Sequence, residues 1–464
     1  MDAWYPGASP CLWYRSGVQR NSPIQLGTAA PATVLLALLG SACSGAGAPT
    51  SGDAARPNLL LITVDTLRQD HLEPYGYGRP TSPRLAELAA DSVVFEDAQA
   101  PAPWTLPSLA GLMTGLPTSA HGCRTFHDSL AGSYDTLPEQ LLAHGYDTAA
   151  VTSHVFLGRP YGLHQGFVHF DDELVLEMTR SDEVVSSPAV SDKGIAFLQA
   201  KATARAAGAE GADAPWLLWL HYFDPHAVYQ RHQGLSGRFG AKRPKDLYDG
   251  EIAFTDRHIG RVLDALEAAG LTEDTIVCVT ADHGEEFGDH GGLDHGHTLY
   301  RELIDVPLIL RVPGQEPGRV PRTVRLVDVP DTLLELCGVP RLEESLGTSL
   351  VPLMHGEDLD LPPALVELER NPRLNKVGLV DDERKYVLDR DTGRVEYFDR
   401  TADPREERNL ATELADELGE RSAALQHLLE QARAVAERHP DAVRLALGAD
   451  ELEDLAGTGY VGDE

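Results

Sequence analysis

Four stretches of this chain are apolar or β-branched, and each stops on an acid or a histidine. They are Leu59–Val64 before Asp65, Thr148–Ser153 before His154, Trp216–Phe223 before Asp224, and Thr275–Ala281 before Asp282. A short run without polar alternation is what a strand buried on both faces looks like. Stretches with helical spacing separate the runs: Thr81–Ala90, Leu137–Gly145, residues 172–213 and Asp249–Ala268, with Ile252, Ile259, Val262, Leu263 and Leu266 on one face of the last. Further strands are expected at Val93–Phe95 and Pro307–Val312, and a helix at Val329–Leu336, stopped by Gly338. Alternation of this kind predicts an α/β fold with a large mixed, mostly parallel sheet flanked by helices. Ligands of such sheets sit at the carboxyl ends of the strands. The four terminal residues are therefore candidates for one site.

The densest chemistry follows the last of these runs. Asp282-His283-Gly284-Glu285 opens a segment with four histidines and several carboxylates in fifteen residues. Hard oxygen and borderline nitrogen ligands beside a glycine turn suit a divalent cation. Alone, the segment favours a metal only modestly over an acidic solvated loop. The recurrence of acid or histidine at other strand ends favours the metal.

A hydroxyl stands in a second telling place. In Trp104-Thr105-Leu106-Pro107-Ser108-Leu109, Pro107 suits the first turn of a helix and Gly115 its stop. Thr105 is thus expected just before a helix N-terminus, where unpaired N–H groups and the helix dipole favour an anion. Taken by itself it reads as a helix cap. Beside a metal it reads as a nucleophile, and the set suits metal-assisted attack on a phosphate- or sulfate-like ester.

The ends of the chain differ from its body. Arg15 and Arg20 precede the apolar Ala29–Leu39, and small residues lead to Cys43. This is the pattern of a secretory leader with a lipoprotein-type cleavage box, although Gly40 stands where that box prefers Leu. Residues 1–43 are read as this signal segment with lipidation at Cys43, and 44–56 as a linker. The leader is short for a membrane span. A protein exported from a bacterial cell is expected, periplasmic or surface-held, touching membrane only through its lipid. The formal charge of -33 argues against a nucleic-acid partner. No C-x-x-C occurs among the five cysteines, which excludes a zinc knuckle.

Beyond residue 345 short alternating runs appear at Ala364–Leu368, Val377–Val380, Lys385–Leu388 and Val395–Phe398, the last two joined by an Asp391-Thr392-Gly393 turn. With the amphipathic Leu414–Arg438 they predict a small antiparallel sheet plus a helix. The expected organisation is a catalytic α/β domain over 57–345, a subdomain over 346–440 and an acidic tail over 441–464.

From about Pro57 to Ala411 the chain resembles the sulfatase family of the alkaline-phosphatase-like superfamily. The resemblance runs through Asn58–Arg68, the T-x-P-S segment at 105–108, Asp224-Pro225-His226, Tyr248–Ile252, Asp282–Glu285 and Val306–Ile309. It ends in Glu396–Asp399, Asp403-Pro404 and Asn409–Ala411. It implies that Asp65, Asp282 and His283 hold a metal that also touches a nucleophile at Thr105. It further implies that His226 contacts the ester or its leaving oxygen, and that His154 and His297 bind substrate. One divalent cation is implied, calcium by family habit; the histidine ligand points to manganese or zinc.

Two departures carry weight. The family motif C/S-x-P-x-R reads Thr105-Leu106-Pro107-Ser108-Leu109, so conversion to formylglycine is not expected. The family's second Asp is Thr66. A threonine ester has no second hydroxyl through which to expel sulfate. The reading is therefore a hydrolase of small or polymeric anionic esters that favours phosphoesters. The rival readings are a phosphoglycerol- or phosphoethanolamine-type transferase, and a non-catalytic metal- or ligand-binding lipoprotein.

Overall fold

The computed structural model describes residues 56–178, 185–240, 242–371, 374–440 and 443–446. The leader with Cys43, the linker up to residue 55 and most of the acidic tail lie outside them. Among the described residues an eight-stranded sheet dominates. Its strands are β1 (Asn58–Val64), β2 (Val93–Gln99), β3 (Asp147–Val151), β4 (His169–Asp171), β5 (Trp216–Tyr222), β6 (Thr275–Ala281), β7 (Asp305–Arg311) and β8 (Gly318–Arg325). Their order across the sheet is β8-β2-β7-β6-β1-β5-β3-β4. Only β7 pairs antiparallel to its neighbours, β2 and β6; the other pairings are parallel.

The centre of the sheet follows from composition. Every residue of β1, β5 and β6 is buried, as unbroken apolar runs require when helices cover both faces. Register then decides chemistry. On β1 and β6 Val64 lies beside Ala281, so Asp65 and Asp282 leave the sheet side by side. On β1 and β5 Thr63 lies beside His221. β8 was not anticipated. Its sequence GRVPRTVR is rich in arginine, and Pro321 sits where the pairing with β2 breaks register. This is the signature of an edge strand rather than of a core one.

The covering helices begin with α1 (Pro83–Ala90), α2 (Thr105–Thr114) and α3 (Leu137–Ala143). They continue with α4 (Ser187–Ala206), α5 (Pro244–Ala268) and α6 (Val329–Leu336). The helical stretch expected over 172–213 is split into a short turn of helix at Glu173–Met178 and α4. All ten residues of α2 are buried, and it ends at Gly115 with φ of 68°. A Cβ there would lie 2.1 Å from Ser345 Oγ, so both conformation and space call for glycine.

Four further strands form the small antiparallel sheet: β9 (Ala364–Asn371), β10 (Leu374–Val380), β11 (Arg384–Asp389) and β12 (Val395–Asp399). One of its faces joins the main core through Val366, Leu368, Val380 and Val387. The other carries α7 (Ala415–Ala436), packed on Leu379, Tyr386 and Tyr397 through Leu425.

Candidate active site

At the carboxyl ends of β1 and β6, Asp65, Asp282 and His283 each offer one ligand atom, and these lie within 4.8 Å of one another. All three side chains are fully buried. His283 Nε2 is 3.7 Å from Asp65 Oδ1 and 3.4 Å from Asp282 Oδ2. Thr105 Oγ1 is 3.3 Å from His283 Nε2. The structure thus brings Asp65, Thr105, Asp282 and His283 together. Thr105 is the first residue of α2, and Trp104 holds the cap position. Its hydroxyl faces the site instead of capping the helix.

The backbone around these groups is tightly held. Thr66 sits at φ 52°, a left-handed conformation that costs a β-branched residue energy and needs support. Tyr248 supplies it, donating to Thr66 O at 2.6 Å and accepting from Arg68 N–H at 2.8 Å. Ser108 Oγ donates to Asp282 O at 2.6 Å, tying α2 to the end of β6. Gly284 passes so close to the next segment that a Cβ would lie 2.0 Å from Glu302 O.

The electrostatics are those of a site built around a cation. Burial pushes the Asp65 carboxyl well above the usual range, and the like charges of Asp282 and Glu285 add to this. Asp282 is also pushed up by burial, against the pull of the His283 and Thr66 amides. Both Asp65 oxygens and Asp282 Oδ2 are buried without a hydrogen-bond partner. Buried orphan carboxylate oxygens are costly in an apolar interior. Burial also keeps the imidazoles neutral, driving His283 and His221 down to about 3 and His226 to about 4. His154 and His295 fall well below their ordinary range for the same reason. Neutral imidazole is the state that metals bind, and a cation would offset the cost of ionising the two buried carboxyls. The donor set therefore fits a divalent cation.

Around this centre stands a wall of histidines. β3 ends at Val151, earlier than the expected Ser153, and His154 follows three residues later with Nε2 3.8 Å from Asp65 Oδ2. His226 packs with its ring centroid 5.8 Å from that of His154 and 4.9 Å from that of His295. His226 Nδ1–H donates to Ala227 O at 2.7 Å, and His283 Nδ1–H to Gly284 O at 2.9 Å. In both, Nε2 keeps a lone pair.

Other residues depart from the expected arrangement. His297 turns to Glu286, with Nε2 2.9 Å from Oε2, and is not brought to the metal-ligand group. His295, two residues earlier, stands there, its ring centroid 4.5 Å from that of His283 and its Nδ1 3.0 Å from Glu285 Oε1. Asp224 lies two residues beyond the end of β5, and its Oδ2 accepts from the amides of Ser186 and Ser187 at 3.1 and 2.7 Å. It thereby serves the N-terminus of α4. Sequence reasoning also missed His221, a polar residue within an apolar strand, whose Nε2 is 3.4 Å from Asp65 Oδ2. It missed Arg370, whose Nη1 approaches Gly296 O at 3.5 Å and whose charge bears on His283 and His295. A polar break in a fully buried strand was the available signal for His221; Arg370 had none.

A carboxylate and imidazole cluster with a helix-terminal hydroxyl, at the carboxyl edge of a mostly parallel sheet, defines a metal-dependent esterase class of site. The sulfatase family model matches residues 57–339, and the chain belongs to the sulfatase family. It is a hydrolase acting on ester bonds. An arylsulfatase of Clostridium perfringens is 23% identical, the match covering 81% of this chain and 94% of that protein. Human arylsulfatase A is 27% identical, over 76% of this chain and 78% of its own. The phosphonate monoester hydrolase of Agrobacterium radiobacter has the same fold, with TM-score 0.66 at 21% identity, over 82% of this chain and 96% of that one.

Proposed function

We propose that this chain is a metal-dependent hydrolase in which Thr105 is the nucleophile, and that it favours phosphoesters over sulfate esters. The observation that carries the reading is the place of Thr105. Its hydroxyl is 3.3 Å from His283 Nε2, beside Asp65 and Asp282, at the N-terminus of a buried helix. Asp65, Asp282, His283 and Thr105 would hold one divalent cation. When bound, that cation supplies Lewis-acid activation of the hydroxyl and positive charge for the transferred group.

The protein's own part is then defined. Thr105 Oγ forms a bond to the central phosphorus, its proton passes to a basic neighbour, and the bond to the leaving oxygen breaks. The N-terminus of α2 stabilises the alkoxide and the transferred anion. His226 holds its one proton on Nδ1, so its Nε2 is the basic atom that takes the Thr105 proton and then hands it to the leaving oxygen. Water then attacks the phosphorus of the threonine ester and restores the hydroxyl. A formylglycine hydrate would release sulfate through a second hydroxyl, and Thr105 has none. His154, His226 and His295 line the space for the ester oxygens, and His295 takes the place expected for His297. Residues 57–345 carry this chemistry. Export and lipidation at Cys43 rest on the leader sequence.

The test is turnover of an aryl sulfate, an aryl phosphate and an aryl phosphodiester by metal-loaded protein, each beside Thr105→Ala. Cleavage of a phosphoester that disappears in the variant is expected. Cleavage of the sulfate alone contradicts the phosphoester preference, and an active variant contradicts the role of Thr105.

A further inference from the structure

Charge is spread unevenly along the chain. It carries 72 acids against 39 lysines and arginines, yet residues 225–245, which begin beside His226, hold no Asp or Glu and five cations: Arg231, Arg238, Lys242, Arg243 and Lys245. The fold then sorts the acids that lie near. Asp246, Asp249 and Glu251, in the first turns of α5, are buried. Asp249 is engaged by His71 Nδ1 at 2.7 Å, by the Tyr77 hydroxyl at 2.8 Å and by Arg79. Glu251 faces His232 Nε2 at 2.5 Å, and Asp246 accepts from Arg243 and Arg79. Asp70 and Asp289 are held by Arg68. Arg231, Arg238, Lys242 and Arg243 are exposed. Among the described residues Arg238 and Lys242 have no acidic partner.

This segment is packed in place. Leu235 and Phe239 are buried against Ala253 and Phe254 of α5. The His232 ring stacks on Phe254, with centroids 3.7 Å apart, and Ser236 Oγ accepts the His232 amide at 2.8 Å. Both ends of the segment are bonded to the loop that carries His295. Tyr229 donates its hydroxyl proton to Glu285 Oε2 at 3.0 Å, and Glu285 Oε1 is 3.0 Å from His295 Nδ1. Lys245 Nζ donates to Asp289 Oδ1 at 3.3 Å. The cations between these two ties border the site on the side of His226 and His295.

We propose that this platform binds a second anionic group of the substrate, with Arg238 and Lys242 as its main ligands and Arg231 and Arg243 beside them, so that the ester cleaved here belongs to a molecule with more than one negative group. The inference rests on reading the site as an anionic-ester hydrolase, and it names that site's substrate class. Guanidinium and ammonium groups hold phosphate- and sulfate-like oxygens through charge-assisted hydrogen bonds. Cations kept only for solubility stand elsewhere on this surface beside exposed acids, as Arg322 does with Asp358 and Asp382, and Arg408 with Glu413. Here the acids are underneath and the cations outside. A formal charge of -33 repels anions at long range. A basic rim reverses this within a Debye length, about 8–10 Å, which is the reach of one bound molecule. An anionic membrane fits less well, because a wide negative plane would also face the acidic body.

The test uses the full, metal-loaded chain, with dextran sulfate as the polyanion and neutral dextran as its control. By titration calorimetry wild type is expected to bind dextran sulfate but not dextran, more weakly as salt rises. Bound dextran sulfate is expected to raise the KM of a small aryl ester and to leave kcat nearly unchanged. Arg238→Gln combined with Lys242→Gln should weaken dextran sulfate binding by about 10-fold, and the inhibition should weaken with it. Arg238→Lys combined with Lys242→Arg keeps both charges and should bind as wild type does. Circular dichroism checks the fold of each pair. Unchanged binding in the glutamine pair, or equal loss in the charge-keeping pair, overturns the inference. Inhibition that lowers kcat and leaves KM alone also overturns it, by placing the polyanion away from the site. Binding to phosphatidylglycerol vesicles that the glutamine pair abolishes, with no binding of dextran sulfate, overturns it in favour of a membrane surface. Loss of dextran sulfate binding in the glutamine pair, with no aryl ester turned over by any form, removes the hydrolase reading and leaves the anion site standing.

Discussion

Two buried charge clusters in this molecule are built on opposite terms. In the small sheet, Lys385 Nζ lies 2.9 and 2.8 Å from the two oxygens of Glu406, and Arg301 N–H adds a third bond at 3.1 Å. The two side chains are 1% and 2% exposed, so this pair is finished by the fold. At the edge of the large sheet, Asp65 and Asp282 are as deeply buried but stand together among neutral imidazoles. Their orphan oxygens are left for something the chain does not supply. A buried pair that is satisfied marks structure. A buried pair of like charge marks a binding site, because burial without compensation is too costly to keep for packing alone.

The largest effect that should separate the two regions is on turnover. Thr105→Ala removes the attacking atom and should lower kcat for a phosphoester by about 10,000-fold or more, while the melting temperature changes little. Lys385→Met should do the reverse. It leaves Glu406 buried without its cation and should destabilise the fold by about 3–5 kcal/mol, read by urea unfolding. The kcat of the protein that remains folded should stay near wild type. Similar losses of activity in both variants would erase the distinction.

A smaller effect tests how far the small sheet reaches into the site. Arg370 is carried by β9, and its charge bears on two of the site histidines. Arg370→Ala should weaken an anionic ester by about 10-fold in KM, with kcat less affected. An unchanged KM would confine Arg370 to holding Gly296.

The smallest effects have inverted signs. Asp282→Asn should abolish metal binding yet stabilise the metal-free protein by about 1 kcal/mol, since it removes one of two repelling charges. Both carboxyls are raised in the folded protein, so the folded state holds more protons than the unfolded one above pH about 4. Metal-free stability of the wild type should therefore fall relative to that of Asp282→Asn as pH rises above that value, since the buried histidines, which pull the other way below pH about 6.5, are common to both proteins. Thermal melts with and without chelator across this range check it. A metal-free wild type that gains stability relative to Asp282→Asn through the same window would contradict the assigned shifts.

Much of the frame was legible because the sheet centre has no polar alternation to obscure it. β6 falls on Thr275–Ala281 as read, and Asp65, Asp282 and His283 follow their strands directly. The four strands of the small sheet were readable from their alternation and from the Asp391–Gly393 turn. Less legible was whatever depended on another part of the chain. β8 hides behind its arginines and Pro321. His221 shows only as a polar break in a strand, and its purpose appears when register sets it beside Thr63. His295 and His297 are indistinguishable by spacing. The turn at Gly296, with φ of 73°, sends one to His283 and the other to Glu286. Arg370 arrives from a separate sheet, and no local pattern announces it.

The account turns on Thr105, and its most direct test is to trap the threonine ester. Metal-loaded protein is quenched in acid during turnover of an aryl phosphoester, and its peptides are mapped by mass spectrometry. The account predicts a phosphoryl group on Thr105 that is absent without substrate and absent from Thr105→Ser carrying a prior block on its hydroxyl. Sustained turnover with no adduct at Thr105, together with activity in Thr105→Ala, would contradict it.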